Sequence, residues 1–202
     1  MTRRSRLALS ALQYLLAYLL ASGADIWTTL LALRAYGVHE GNSFLASPDG
    51  LALARSWIAT GLGAAFLTAL YLFGIAHAHD VEPHWLRRPR RSFLRFYVNP
   101  WRRLDRAPLH AIAYAQAFVA LRGLAAANNW SLAENGPGPL GDLVGWCARQ
   151  LGSMPGYTLA IGGVYLLLTL AVTPLAVATV RLAMEDLPRP SPRGDRARLA
   201  QG

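Results

Sequence analysis

The sequence predicts an all-α membrane protein in which four transmembrane helices form a bundle. Three observations support this class. Of the 202 residues, 53% are hydrophobic and only 15% are charged, which is not typical of a soluble domain. The apolar residues form long blocks, and all 20 basic residues are arginines that concentrate in alternate segments between these blocks. The formal net charge of +9 must therefore be interpreted by position.

Four apolar blocks are long enough to cross a bilayer, which takes roughly 20 residues in a helix. They cover residues 7–36, 57–76, 108–127 and 157–182. Apolar side chains lie on every side of the second and fourth blocks, as is typical of membrane-spanning helices rather than surface helices.

The arginines lie mainly before the first block, between the second and third blocks, and after the fourth block. The other two connections contain few of them. This alternation follows the positive-inside rule and predicts that both termini are cytoplasmic, in a bacterial inner membrane. The basic charge thus indicates orientation. We expect no nucleic-acid partner, because no motif for reading nucleic acid is present.

Residues 1–187 are predicted to form one membrane domain, with a basic cytoplasmic loop over residues 77–107. Residues 188–202 should be a disordered basic tail, because they are rich in proline and lack apolar periodicity. The small residues 21–23 would suit signal-peptide cleavage, but the apolar block continues beyond them, so we expect an uncleaved first span.

The two outer connections resemble each other. Each combines Glu and Asn with Pro, Gly and Asp, and each then leads into an apolar stretch ending in Ala-Arg, at Ala54-Arg55 and at Ala148-Arg149. This likeness suggests a tandem duplication of a two-helix hairpin. Composition bias in a chain rich in Gly, Ala and Leu would produce the same likeness.

Asp25 and Arg122 are charged residues that lie well inside the apolar blocks, and such residues are costly within a membrane. Asp25 and Arg122 both lie in the outer half of spans that start on the cytoplasmic side. We therefore expect them to pair, or to share a polar network with Gln116 and Glu40. The pair could form part of a site for a ligand, an ion or a proton. It could equally serve only to lock the first and third spans together.

Further polar residues follow Asp25 on the same helix face or just beyond the first span. They indicate an outward-facing polar pocket. Its candidate residues are Asp25, Thr28, Thr29, His39, Glu40, Asn42, Gln116 and Arg122.

A second polar cluster follows the second span. His77, Asp80 and His84 have i, i+3, i+7 spacing, which would place them on one helical stripe. Imidazole and carboxylate groups are plausible ligands of a transition metal. Because Pro83 interrupts the helix, a polar helix end is the favoured interpretation. We therefore expect no cofactor, with a metal ion as the less favoured alternative.

The loop after this cluster mixes arginines with aromatic residues. Such a segment suits the headgroups of anionic lipids, although a solvated loop that carries the orientation charges fits equally well. The candidate headgroup residues are Arg87, Arg88, Arg90, Arg91 and Arg95.

At Asp25-x-x-Thr28-Thr29 and Gly37-x-x-Glu40-x-Asn42, the chain resembles a family of small, uncharacterised prokaryotic multi-span membrane proteins. These have an Asp/Thr first span followed by a Glu-x-Asn-Pro signature. The resemblance covers residues 22–45, and Ser43 stands where the family has proline. It implies a small helical bundle and a shared role for Asp25, Glu40 and Asn42, but no reaction.

The favoured functional hypothesis is a non-enzymatic accessory or binding protein that acts with a partner subunit, a second copy or a lipid. One alternative is an intramembrane enzyme with Asp25, Glu40 and His39 as acid and base groups. Another is a small transporter, for which four spans would need to dimerise. A carboxylate that is paired with Arg122 would favour the first hypothesis over the enzyme.

Overall fold

A computed structural model of the chain describes residues 2–36, 50–98 and 106–187. The elements in these ranges are all helical, without a strand, so the all-α class is confirmed. A single 3-10 turn, Ala78–Asp80, accompanies the α-helices. In chain order the α-helices are α1 (Arg3–Tyr36), α2 (Gly50–Ala76), α3 (Pro83–Arg87), α4 (Pro89–Val98), α5 (Ala107–Ala133), α6 (Pro139–Leu151), α7 (Ser153–Ala171) and α8 (Thr173–Asp186).

Four of these helices, α1, α2, α5 and α7, are long and apolar enough to cross a membrane. They correspond to the four apolar blocks of the sequence. Helix α5 continues to Ala133, beyond the predicted end of the third block at residue 127. The predicted tail, residues 188–202, lies outside the described residues.

The predicted fourth span, residues 157–182, is not one continuous helix. It is divided at Val172 into α7 and α8. The cause is Pro174 in the first turn of α8, because proline has no backbone N–H to continue the helical hydrogen bonds. The Thr173 hydroxyl donates to the carbonyl of Thr169 beside this break (3.0 Å). Helix α8 then packs against α5 and α2.

The arginine-rich segments that are described lie at one end of the bundle, which we call the basic end. Helices α1 and α5 begin there, and α2 ends there at Ala76. The Arg6 guanidinium bonds the Asp186 carboxylate (3.3 Å), so the start of α1 contacts the end of α8. Arg3 donates to the carbonyl of Ala76 (3.2 Å). The other end, where α6 connects α5 to α7, is the opposite end.

Helix α5 occupies the centre of the bundle and contacts α1, α2, α7 and α8. Half of its apolar span is buried, compared with 17% for α1 and for α7. Its buried face is built largely from alanines, which allow neighbouring helix backbones to approach closely. These alanines are Ala111, Ala113, Ala115 and Ala117.

The segment between α2 and α5 is anchored to the bundle at the basic end. The Phe93 side chain on α4 is fully buried and stacks on the His110 ring of α5, with 4.3 Å between ring centroids. The Ser92 hydroxyl lies 3.0 Å from His110 Nε2. Trp85 on α3 is also buried, and the guanidinium of Arg106 lies 4.8 Å from its ring centroid. The described part of this loop is therefore packed against the bundle on one side.

A tight corner joins α6 to α7 at the opposite end. Gly152 has φ of +88°, a conformation that side chains disfavour. One turn later, Gly156 lies directly against the backbone of Cys147 and Ala148. Only a residue without a side chain allows this approach. As a result α6 packs along α7, and Cys147 is buried between them.

Candidate functional site

Helices α1 and α5 run parallel, and polar contacts connect them at successive levels. Near the middle of the bundle, the Tyr14 hydroxyl donates to the carbonyl of Ala115 (2.9 Å). Further toward the opposite end, Asp25 meets Arg122, and then Thr29 meets Asn129. Asp25 and Arg122 each lie eleven residues before the last residue of their helices, which explains why the two charges reach the same level.

The centre of the candidate site is an ion pair between α1 and α5. Arg122 Nη1 lies 2.6 Å from Asp25 Oδ2, so the predicted pairing is confirmed. The Asp25 side chain is 11% exposed and that of Arg122 is 27% exposed. The guanidinium also lies 5.7 Å from the ring centroid of Phe118, one turn earlier on α5. A short charge-assisted contact of this kind is stronger than a hydrogen bond between neutral groups.

Asn129 completes the polar cluster, although it is absent from the residues expected from the sequence. Its amide nitrogen donates to Thr29 Oγ1 (2.8 Å) and lies 3.4 Å from Asp25 Oδ1. Both carboxylate oxygens of Asp25 therefore face a donor on α5. We call Asp25, Thr29, Arg122 and Asn129 the polar cluster.

A signal for Asn129 was present in the sequence. It follows Arg122 by seven residues, close to two helical turns, which places both residues on one stripe of α5. The predicted third span ends at residue 127, so Asn129 falls outside it. By contrast, Gln116 precedes Arg122 by six residues, which places it roughly a third of a turn away from this stripe.

Several expected pocket residues lie elsewhere or use their polar groups locally. Gln116 is not in the polar cluster, because it faces α8 and donates to Thr179 Oγ1 (2.9 Å). The Thr28 hydroxyl is buried but bonds within α1, to the carbonyls of Ala24 (2.8 Å) and Asp25 (3.1 Å). The candidates His39, Glu40 and Asn42 lie outside the described residues.

Two buried polar atoms at the site have no hydrogen-bond partner among the described residues. One is Arg122 Nε, and the other is the hydroxyl of Ser22, three residues before Asp25 on α1. In the Arg122 guanidinium, Nη1 donates to the Asp25 carboxylate, whereas the N–H group at Nε has no acceptor among the described residues. Because Nε is buried, an acceptor group can reach this guanidinium only through the exposed part of the side chain, while Asp25 balances its positive charge.

The predicted metal stripe does not form. Helix α2 ends at Ala76, a 3-10 turn follows, and Val81 is extended, so His77, Asp80 and His84 do not share one helix face. Instead, His77 Nδ1 lies 3.0 Å from Asp80 Oδ2, and His84 Nδ1 lies 2.9 Å from a Glu82 oxygen. Within the part of the chain that the structure describes, no three His, Cys, Asp or Glu residues come together as metal ligands.

Four of the predicted headgroup arginines, Arg87, Arg88, Arg90 and Arg91, are exposed at the basic end. The side chain of Arg95 lies outside the described residues. Toward the opposite end of the bundle, four tryptophans are about half exposed. They lie near the level of the polar cluster or beyond it. They are Trp27, Trp57, Trp130 and Trp146.

Comparison with protein-family models, with curated proteins and with solved structures finds no match to this chain.

Proposed function

We propose that the chain is an integral protein of a bacterial inner membrane that acts as a non-enzymatic accessory or binding protein. In this proposal α1, α2, α5 and α7 span the bilayer and both termini are cytoplasmic. The polar cluster lies near the outer surface, where it contacts a partner subunit, a second copy of the chain or a lipid.

The surface of the bundle supports the membrane setting. Large apolar side chains project outward from the spans, among them Leu20 (74% exposed), Leu62 (70%) and Phe66 (68%). In water such a surface would drive aggregation, whereas lipid tails cover it without cost. The exposed tryptophans at the opposite end suit the aromatic belt of a membrane interface, and the arginines suit the cytoplasmic side.

The proposed orientation predicts which ends react with a membrane-impermeant maleimide. In a Cys147→Ser background, Asp142→Cys on α6 should be labelled in intact spheroplasts, because α6 lies at the outer surface. Ser5→Cys should be labelled only after the membrane is permeabilised. Both positions are exposed on the surface of the bundle, so only the membrane can keep the reagent from reaching them. Labelling of Ser5→Cys in intact cells would contradict cytoplasmic termini.

A single observation supports a binding role most strongly. Arg122 pairs with Asp25, yet its side chain remains 27% exposed at the surface of the bundle. The Asp25 carboxylate, in contrast, is already engaged by Arg122 and Asn129. Because both of its oxygens are occupied within the bundle, the geometry favours binding over the enzymatic alternative. The family resemblance extends the proposal to Glu40 and Asn42.

Co-purification from native membranes tests the binding role. The double variant Thr29→Val/Asn129→Ala alters the polar cluster but retains the ion pair. Thr179→Val is the matched control, because it removes a similar hydrogen bond, with Gln116, outside the polar cluster. The full chain would be extracted with its native lipids, and the bound proteins and lipids would be quantified by mass spectrometry.

We expect at least one protein or lipid that co-purifies with the wild type and with Thr179→Val to be reduced severalfold with the double variant. Identical sets of molecules for all three proteins would contradict a binding role for the polar cluster. Each protein should give a single symmetric gel-filtration peak. This result excludes misfolding as the cause of any reduced co-purification.

We also propose the tandem duplication of a two-helix hairpin, and the arrangement of the helices supports it. Helices α1 and α2 form one antiparallel hairpin, α5 and α7 form another, and the first helices of both hairpins are parallel neighbours. In the second hairpin, the separate helix α6 precedes α7, whereas α2 is a single helix from Gly50.

A further inference from the structure

Four exposed arginines form a compact patch at the basic end. Arg87 ends α3, Arg88 links α3 to α4, and Arg90 and Arg91 lie in the first turn of α4. We call these residues the arginine patch. None of them forms an ion pair with a described residue. The arginines of the bundle itself differ, since Arg3, Arg6 and Arg122 each bond to a partner on another helix.

The arginine patch is held in a fixed position rather than on a loose loop. On α4, the side chains of Ser92 and Phe93 directly follow the patch and are fully buried against His110. On α3, Trp85 is buried two residues before Arg87. These anchors turn the apolar side of α3 and α4 toward the bundle, and the arginines therefore remain on the outside.

The anchors also set the level of the patch along the bundle. His110 is the fourth residue of α5, and the segment that carries the patch starts a few residues after α2 ends at Ala76. The patch therefore lies where the apolar spans begin and end. In a bilayer, this level is that of the headgroups, next to the lipid phosphates.

We propose that the arginine patch binds the phosphate groups of anionic lipids in the leaflet that it faces. A guanidinium forms paired hydrogen bonds to phosphate, and its charge is not lost at any physiological pH. A zwitterionic lipid presents the same phosphate beside a cationic group, which four adjacent arginines repel. The patch therefore discriminates by net headgroup charge. The lipid site rests on the membrane setting of the proposed function, but it requires neither the polar cluster nor the proposed orientation.

Lipid titration of the purified full chain tests the proposal. Native mass spectrometry in a mild detergent would count bound phosphatidylglycerol and bound phosphatidylcholine for each variant. Two variants remove half of the patch each: Arg87→Gln/Arg88→Gln and Arg90→Gln/Arg91→Gln. The matched control, Arg55→Gln/Arg149→Gln, removes two exposed arginines at the opposite end. All three lose the same charge.

We expect each patch variant to bind phosphatidylglycerol roughly 5- to 25-fold more weakly than the wild type, from the usual contribution of a basic residue at an anionic surface. The control and the binding of phosphatidylcholine should remain within about twofold of the wild type. Equal losses in the patch variants and the control would overturn the proposal, as would unchanged binding in the patch variants. Displacement of the bound lipid by a single-stranded oligonucleotide would instead assign the patch to nucleic acid.

Discussion

Asp25→Ala is expected to lower the free energy of unfolding by about 3 kcal/mol, because it leaves the largely buried charge of Arg122 without a counter-ion. Asn129 would also lose its acceptor on the carboxylate. For a chain of this size, the loss corresponds to a decrease in Tm of roughly 6–12 °C. The measurement is thermal unfolding of the purified chain in detergent. The loss of the monodisperse gel-filtration peak with increasing temperature reports the unfolding.

The double variant Asp25→Ala/Arg122→Met provides the control for this prediction. It removes both charges and keeps an unbranched side chain next to Phe118. If the unpaired charge causes the instability, the double variant should recover most of the lost Tm. A double variant as unstable as Asp25→Ala alone would show that packing, and not the ion pair, is the cause. A wild-type Tm for Asp25→Ala would contradict any contribution of the pair to stability.

Gly156→Ala is expected to destabilise the chain by about 2 kcal/mol or more through overpacking at the corner between α6 and α7. A Cβ atom there would lie 2.5 Å from Cα of Ala148 and from the carbonyl carbon of Cys147. Because both neighbours are backbone atoms, α6 as a whole must move away from α7. The same thermal measurement applies, and labelling of Cys147 by a small thiol reagent should become faster as the corner opens.

Gly162→Ala is the matched substitution on the same helix. Among the described residues, apart from the local backbone of α7 itself, no heavy atom lies within 4 Å of a Cβ atom added at Gly162. Alanine is favoured over glycine within a helix by up to about 1 kcal/mol. We therefore expect Gly162→Ala to keep or slightly raise the Tm. Equal effects of the two substitutions would indicate a general response of α7 to alanine instead of a steric clash at the corner.

The four long helices could be predicted from the sequence because span length depends on the number of consecutive apolar residues. The division of the fourth block was missed because the block was defined by hydropathy, which does not report backbone hydrogen bonds. Pro174 interrupts those bonds in the same way as Pro83 does after the second span. The end of α5 was missed for a related reason. Asn128 and Asn129 lower the local hydropathy, but they remain helical because their side chains bond within the bundle.

The Asp25–Arg122 pair could also be predicted, because depth follows from counting residues along two helices that start on the same side. Predicting which other polar residues contact the pair also requires the rotation of each helix about its own axis. Heptad spacing would have selected Asn129 over Gln116 on α5. The docking of α3 and α4 through Phe93 could not be anticipated, because an aromatic residue among arginines gives no indication of which face will be buried.

The parallel packing of α1 against α5 has a consequence for how the protein is made. Asp25 and Arg122 are separated by 97 positions in the chain. At a synthesis rate of about 5–20 residues per second, the carboxylate precedes its counter-ion by roughly 5–20 s. During that interval the first hairpin carries an acid without its counter-ion. The arrival of α5 supplies the counter-ion, so the ion pair between the two parallel helices can form only after the central helix has been made.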